Sequence, residues 1–189
     1  VDESDGGFAH VAPQVAVVTN LEAEHLRHYG DFANLCRAFH DWLAGMGPTG
    51  VAILPSSGLD PRVEADLPCR IVRFGIDAGD VCATDLHYGA EGSSARVLVD
   101  GADAGRIEVP TPGRHMLENA LGAIAAARVV EPAVDLAAFK DCERVRRRFT
   151  VIGQREGVRL VEDYAHHPTE IAAVIAAASL AGGPVHVLF

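Results

Sequence analysis

The sequence predicts an α/β protein: part of a parallel sheet with a small antiparallel insert, followed by the opening of a second α/β unit. Three observations predict it. Short β-branched runs alternate with an amphipathic, helix-length stretch in the first sixty residues. Gly, Asp and Ser punctuate short alternating segments between residues 77 and 112. A strand pair and a helix opened by proline follow Phe149.

Each element has its own local cause. Within residues 14–19, Val15-Ala16-Val17-Val18 is continuously apolar and mostly β-branched, as a buried parallel strand requires. Phe32, Leu35, Cys36, Phe39 and Leu43 recur at three- and four-residue steps and mark one face of a helix. Asp31 stands in front as its cap, and Gly45, Gly47 and Pro48 end it. Residues 51–54 form the next buried strand, completing strand–helix–strand. Residues 55–68 read as a loop or short helical turn, and residues 71–75 as another short strand.

Within the insert, residues 96–99 and 106–109 alternate as strands, with Asp100-Gly101 and Gly105 as turn signals. Residues 117–130 are Ala-rich and helical, and Leu136 and Phe139 mark a shorter helix. Residues 149–152 and 158–161 flank a Gly-rich connection as two strands. Pro168 opens a helix over residues 169–180, and residues 185–189 read as a buried strand. A domain boundary is expected near Phe149. The chain begins with Val rather than Met and stops inside an apolar run, so a truncated chain is expected.

Composition excludes several functions. With a net charge of −10 the chain is a poor binder of nucleic acid, because phosphate attraction needs a surplus of Lys and Arg. No apolar run in these residues reaches the length of a membrane span, and no signal peptide is expected. The four cysteines are irregularly spaced without a C-x-x-C pair. Zinc and disulfide frameworks are disfavoured, and buried, inert thiols in a reducing cytoplasm are expected.

Three clusters are dense in chemistry. Asp2-Glu3-Ser4-Asp5 places three acidic groups within four residues, which a divalent cation would relieve; a solvated acidic turn is the plainer alternative. Thr19-Asn20-Leu21-Glu22-Ala23-Glu24-His25 follows the first strand, where open α/β sheets bind ligands, although capping and loop roles compete. Glu162-Asp163-Tyr164-Ala165-His166-His167-Pro168 ends a strand and enters a helix whose N-terminus favours an anion. His115 and Asn119 share one helix face beside Arg114, and Arg144, Arg146, Arg147 and Arg148 form the dense basic run. Such groups suit a nucleotide or polyphosphate, or a cap and a solvated face.

Taken together, these runs resemble the Mur ligases. Asp2-Glu3-Ser4-Asp5, residues 18–25, Pro112-Gly113-Arg114-His115, Arg147-Arg148-Phe149 and residues 163–170 occur in that family's order and at about its spacing. The Asp-Glu-Ser-Asp and His-His-Pro-Thr-Glu runs resemble the member that adds L-alanine. The resemblance implies a P-loop-type central ATP-binding domain, of which residues 1–148 would be the later part. Residues 149–189 would begin a Rossmann-like C-terminal domain.

It further implies a cytoplasmic ATP- and Mg²⁺-dependent ligase of peptidoglycan synthesis, joining L-alanine to UDP-N-acetylmuramate through an acyl phosphate. By position, Glu3 and His25 would be metal ligands, and His115 and Asn119 would contact the adenine side. Arg148 would reach the ATP phosphates and Asp163 the ribose, while His166 and His167 would lie near the substrates. His25, Arg148, His166 and His167 are thus the expected catalytic residues.

The chain also departs from the family pattern. Glu24-His25 is followed by Leu26 and Arg27 where the family has a second Asp, and Met116 follows His115 where the family has Asn. No G-x-x-G-K-[ST] loop occurs in the 189 residues, so this chain alone is expected not to turn over ATP. A tripeptide-recycling ligase of the same family is the nearest alternative. A non-catalytic relative that binds nucleotide or UDP-sugar is the second.

Overall fold

In a computed structural model, residues 4–189 are described; the expected metal ligand Glu3 lies outside them. The first apolar run forms strand β1 (Val15–Val17), in which only Ala16 is buried and Val17 is exposed rather than buried as expected, and the second forms the buried β2 (Val51–Pro55). They pair in parallel with Val15 opposite Val51 and Val17 opposite Ile53. Two backbone bonds frame the pair: Val51 N–H donates to Gln14 O at 2.9 Å, and Val18 N–H to Ile53 O at 3.0 Å. Strand β3 (Arg70–Ile76) adds in parallel on the other side of β2, Val51 opposite Arg70. Both faces of β2 are covered, so Ala52, Ile53 and Leu54 are fully buried. That explains its unbroken apolar sequence, each large side chain contributing about 1.5–3 kcal/mol.

Between β1 and β2 run a one-turn helix α1 (Leu26–Tyr29) and the longer α2 (Phe32–Ala44). Asp31 caps α2 as expected, its carboxylate accepting the Asn34 N–H at 2.8 Å. Leu35, Cys36 and Leu43 on the inner face of α2 join Ala16, Val18, Leu54 and Val63 in one core. Trp42 closes the edge, donating its indole N–H to Val11 O at 2.9 Å, with Phe8 and Phe39 meeting its ring edge-to-face. A 3₁₀ turn at Pro61–Val63 occupies the connection to β3.

Two compact units divide the chain. The first holds β1 to β3, the start of strand β4 (Val81–Tyr88), and the C-terminal half of helix α3 (Arg114–Val130). Gly122 marks the close approach of that half-helix: a Cβ there would sit 3.3 Å from the Phe74 ring.

The second unit holds the rest of β4, strand β5 (Ser93–Val99) up to Leu98, strand β6 (Ala102–Val109), the first turns of α3, and residues 135–189, while Val99, Asp100 and Gly101 group with the first unit. Asp100 and Gly101, at φ 51° and 79°, form the two-residue turn between β5 and β6, so those strands run antiparallel. The Asp100-Gly101 turn signal is therefore met, whereas Gly105, at φ 113°, lies within β6 and makes no turn between strands. The strand β4 was not distinguished in the sequence, because Val81-Cys82-Ala83-Thr84 lacks clean alternation.

A 3₁₀ turn at Leu136–Asp141 lies against β6. Antiparallel strands β7 (Thr150–Arg155) and β8 (Val158–Glu162) follow, joined through Glu156 and Gly157 at φ 51° and 81°. Helix α4 (Pro168–Ser179) completes the unit, with Pro168 in its first turn.

Two expectations are corrected. Residues 185–189 form no strand; Val187, Leu188 and Phe189 are exposed, because no strand among the described residues pairs with them. All four cysteines are free, but only Cys36, Cys69 and Cys82 are buried; Cys142 is exposed after the 3₁₀ turn. Burial raises the Cys36 thiol pKa, with Asp60 adding to the effect, and burial likewise raises Cys82. Burial thus disfavours the reactive thiolate at these two positions.

Candidate functional site

The polar run after β1 lies at the carboxyl end of a parallel strand, the side on which open α/β sheets bind ligands. Thr19, Asn20 and Glu22 are linked there by side-chain hydrogen bonds, the Asn20 amide donating to Glu22 at 3.4 Å. His25 follows at φ 52°, a left-handed conformation rare for a side chain other than glycine, and occupies the N-cap position of α1. With Ser4, Ala23, Leu26, Arg27 and His28 it lines an open cavity of about 600 Å³. Arg27 therefore shares the cavity with His25, and its cation suits an anionic ligand there.

Among the described residues no group of three or more His, Cys, Asp or Glu is arranged to hold a metal. Mg²⁺ typically takes only one or two protein ligands and completes its shell with substrate phosphates and water, so its binding does not need such a cluster.

The remaining candidates gather in the second unit, around the β8–α4 connection. Asp163 anchors it. One carboxylate oxygen accepts the Phe149 N–H at 2.8 Å and the other accepts the Ala165 N–H at 2.8 Å. Each oxygen keeps a lone-pair site, so a sugar hydroxyl can still donate to Asp163. Tyr164 N–H donates back to Arg147 O at 2.9 Å, and the Arg147 guanidinium lies 4.4 Å from the centre of the Tyr164 ring. Arg147 and Phe149 stand at φ 58° and 49°. Arg148 is thus presented between two left-handed residues that the Asp163–Tyr164 contacts hold in place.

The Arg148 guanidinium meets Glu170 at 3.7 Å. Glu170 also accepts the N–H groups of His166 at 3.1 Å and His167 at 3.4 Å, capping α4. Burial raises the Glu170 pKa, but the two N–H donors, Arg148 and His166 together outweigh it and hold the carboxyl below its ordinary value. The adjacent histidines differ in surroundings: His166 is exposed and its ring nitrogen lies 3.1 Å from Tyr164 O, whereas His167 is half-buried at the N-cap.

His115 sits in the first turn of α3 in the same unit. Burial lowers its pKa; Asp163 opposes this, Arg148 adds to it, and Glu118 and Glu170 oppose it. The imidazole is therefore favoured in its neutral form, able to donate from one nitrogen and accept at the other. Gly113 explains its seat. At φ 108° the backbone is left-handed, and a Cβ would come within 2.8 Å of the His115 ring and 3.1 Å of Ala177. Asn119, one turn further along α3, is exposed.

The second unit therefore groups His115, Arg148, Asp163, His166 and His167, while His25 belongs to the first unit. Glu170 is the polar group the sequence reading left without a role. A Glu three positions after an N-cap signals a capping box, but His rather than Ser or Thr at that N-cap hid it.

Comparison with known proteins settles the family. The Mur ligase middle domain matches residues 3–127, and the Mur ligase glutamate ligase domain matches residues 147–189. The chain belongs to the Mur ligase family. A UDP-N-acetylmuramate–L-alanine ligase of Phenylobacterium zucineum is 40% identical, the match covering 94% of this chain and 39% of the relative. The chain spans about two fifths of the length of the curated Mur ligases it matches.

Solved structures agree on the fold. MurF from Acinetobacter baumannii superposes with a TM-score of 0.79 at 24% identity, covering 95% of this chain and 40% of that one. The UDP-N-acetylmuramate–alanine ligase MurC from Thermotoga maritima gives 0.75 at 24% identity, covering 94% and 41%. Among the described residues no helix is long and apolar enough to cross a membrane.

Proposed function

We propose that this chain is part of a cytoplasmic, ATP-dependent ligase that joins L-alanine to UDP-N-acetylmuramate in peptidoglycan synthesis. The observation that carries the reading is the 40% identity to a ligase of that name across 94% of the chain. Residues 1–148 belong to the central ATP-binding domain and residues 149–189 open the C-terminal domain. The gap between the two matched domains, from residue 127 to residue 147, supports that division.

The reaction needs a carboxylate activated as an acyl phosphate and an amine brought to it. Catalysis of this kind is mostly positioning and charge stabilisation. Arg148, exposed and fixed at its backbone, suits the ATP phosphates. Asp163 keeps acceptor capacity for the ribose, and the neutral His115 with Asn119 suits the adenine side. His166 and His167 lie close to Arg148 through Glu170, as substrate-facing groups require. Mg²⁺, when bound, neutralises phosphate charge, and Glu3 and His25 would hold it. Arg27 in the His25 cavity favours an anionic group beside it.

The test is acceptor choice by the complete ligase. With ATP, Mg²⁺ and UDP-N-acetylmuramate, ADP release that depends on L-alanine supports the reading. ADP release that instead requires a preformed tripeptide identifies the recycling ligase, and nucleotide binding without turnover identifies a non-catalytic relative.

A further inference from the structure

The Glu170 carboxylate is bound as a phosphate would be. One oxygen takes two backbone N–H groups at the N-terminus of the twelve-residue helix α4, from His166 and His167. The other faces the Arg148 guanidinium at 3.7 Å. Backbone N–H groups at a helix start, with an arginine beside them, are the donors that hold phosphate oxygens. Arg148 cannot swing far at its backbone, because Phe149 N–H is tied to Asp163 and Tyr164 N–H to Arg147 O. Its side chain, 45% exposed, is the part free to change partner.

We propose that Glu170 is a positioning residue that occupies the place of a polyphosphate: it holds the Arg148 guanidinium at the start of α4, and a nucleotide phosphate takes that guanidinium by displacing the carboxylate. The proposal rests on the reading of Arg148 as a phosphate ligand. It adds that the site carries its own competing anion, so that part of the phosphate attraction is spent on releasing Arg148. The pair is partly exposed, and the competition is correspondingly small.

The experiment is a double-mutant cycle on the complete ligase, with sodium tripolyphosphate as the probe and the Arg148 side-chain Nε–H followed by NMR. Glu170→Gln keeps an oxygen acceptor for the two N–H groups and removes the charge. Tripolyphosphate binding is expected to tighten by about two- to five-fold in Glu170→Gln. No such tightening is expected when Arg148→Ala is already present. Equal tightening in both backgrounds would mean a general loss of negative charge and would overturn the proposal, as would unchanged or weaker binding in Glu170→Gln.

The underlying reading fails separately. If Arg148→Ala leaves tripolyphosphate binding unchanged, Arg148 is not a phosphate ligand and the proposal falls with that reading. Thermal denaturation of Glu170→Gln guards against a folding artefact. If Glu170→Gln unfolds, Glu170→Asp, whose shorter carboxylate draws back from Arg148, is expected to show the same Arg148-dependent tightening.

Discussion

Replacing Asp163 by Asn tests how the β8–α4 connection is held. The carboxylate accepts two backbone N–H groups, from Phe149 and Ala165, both at 2.8 Å and both in a half-buried setting. An amide of the same shape offers one oxygen; its NH₂ meets the other N–H and cannot accept from it. One charge-assisted bond is lost and the other is weakened to a neutral one. Bonds to charged groups contribute about 1.5–3 kcal/mol, so the local opening free energy should fall by about that amount. The strain of Arg147 and Phe149, at φ 58° and 49°, works in the same direction once the tie is gone.

Amide hydrogen exchange is the assay, since it reads local opening residue by residue. In Asp163→Asn, Phe149 and Ala165 should exchange roughly 10- to 150-fold faster, 1.4 kcal/mol being a factor of ten. The Leu43 amide, in the first unit, should be unaffected. Exchange of Phe149 and Ala165 within about two-fold of the parent rate would refute the assignment of Asp163 as the anchor.

Further outcomes follow from the same geometry. Leu43 is fully buried in the core under α2, so Leu43→Ala should cost about 2–5 kcal/mol in urea denaturation. Gly113→Ala should destabilise the second unit by more than about 1 kcal/mol, because it combines a left-handed φ of 108° with a Cβ 2.8 Å from His115; a drop in melting temperature checks it. His115 should titrate below the ordinary value of 6.5 in an NMR pH series, and lower still in Asp163→Asn, because Asp163 acts to raise it. With its folded pKa depressed, the His115 contribution to stability is present above pH 6.5 and is lost as pH falls through the folded value; chemical denaturation at several pH values reads this.

Much of this arrangement was legible in the sequence, and the exceptions have identifiable causes. Residues 51–54 announced a doubly covered strand because both of its faces are buried. Asp31 and Pro168 announced helix starts because their chemistry fits only there. The Asp100-Gly101 and Glu156-Gly157 turns needed φ values that Gly accepts. What stayed hidden was whatever depends on partners distant in sequence. Residues 185–189 look like a strand, yet a strand exists only with a neighbour to bond.

The site shows the same division. The left-handed backbones of His25, Arg147 and Phe149 leave no trace in residue identity, since none is Gly, Asn or Asp. The runs around Arg148, Asp163 and His166-His167 drew notice as polar clusters at strand and helix ends. Their mutual contacts through Asp163 and Glu170 emerge only when β8 and α4 bring residues 147–149 and 163–170 together.

The most direct test of the central proposal follows one oxygen atom. If the ligase activates its substrate as an acyl phosphate, a carboxylate oxygen of UDP-N-acetylmuramate becomes bonded to phosphorus, and attack by the L-alanine amine at carbon leaves that oxygen on the released phosphate. With ¹⁸O-labelled UDP-N-acetylmuramate carboxylate, ATP and L-alanine, the complete ligase should release inorganic phosphate carrying one ¹⁸O per turnover, read by ³¹P NMR. Product formation with unlabelled phosphate would contradict the acyl-phosphate ligase assigned to this chain.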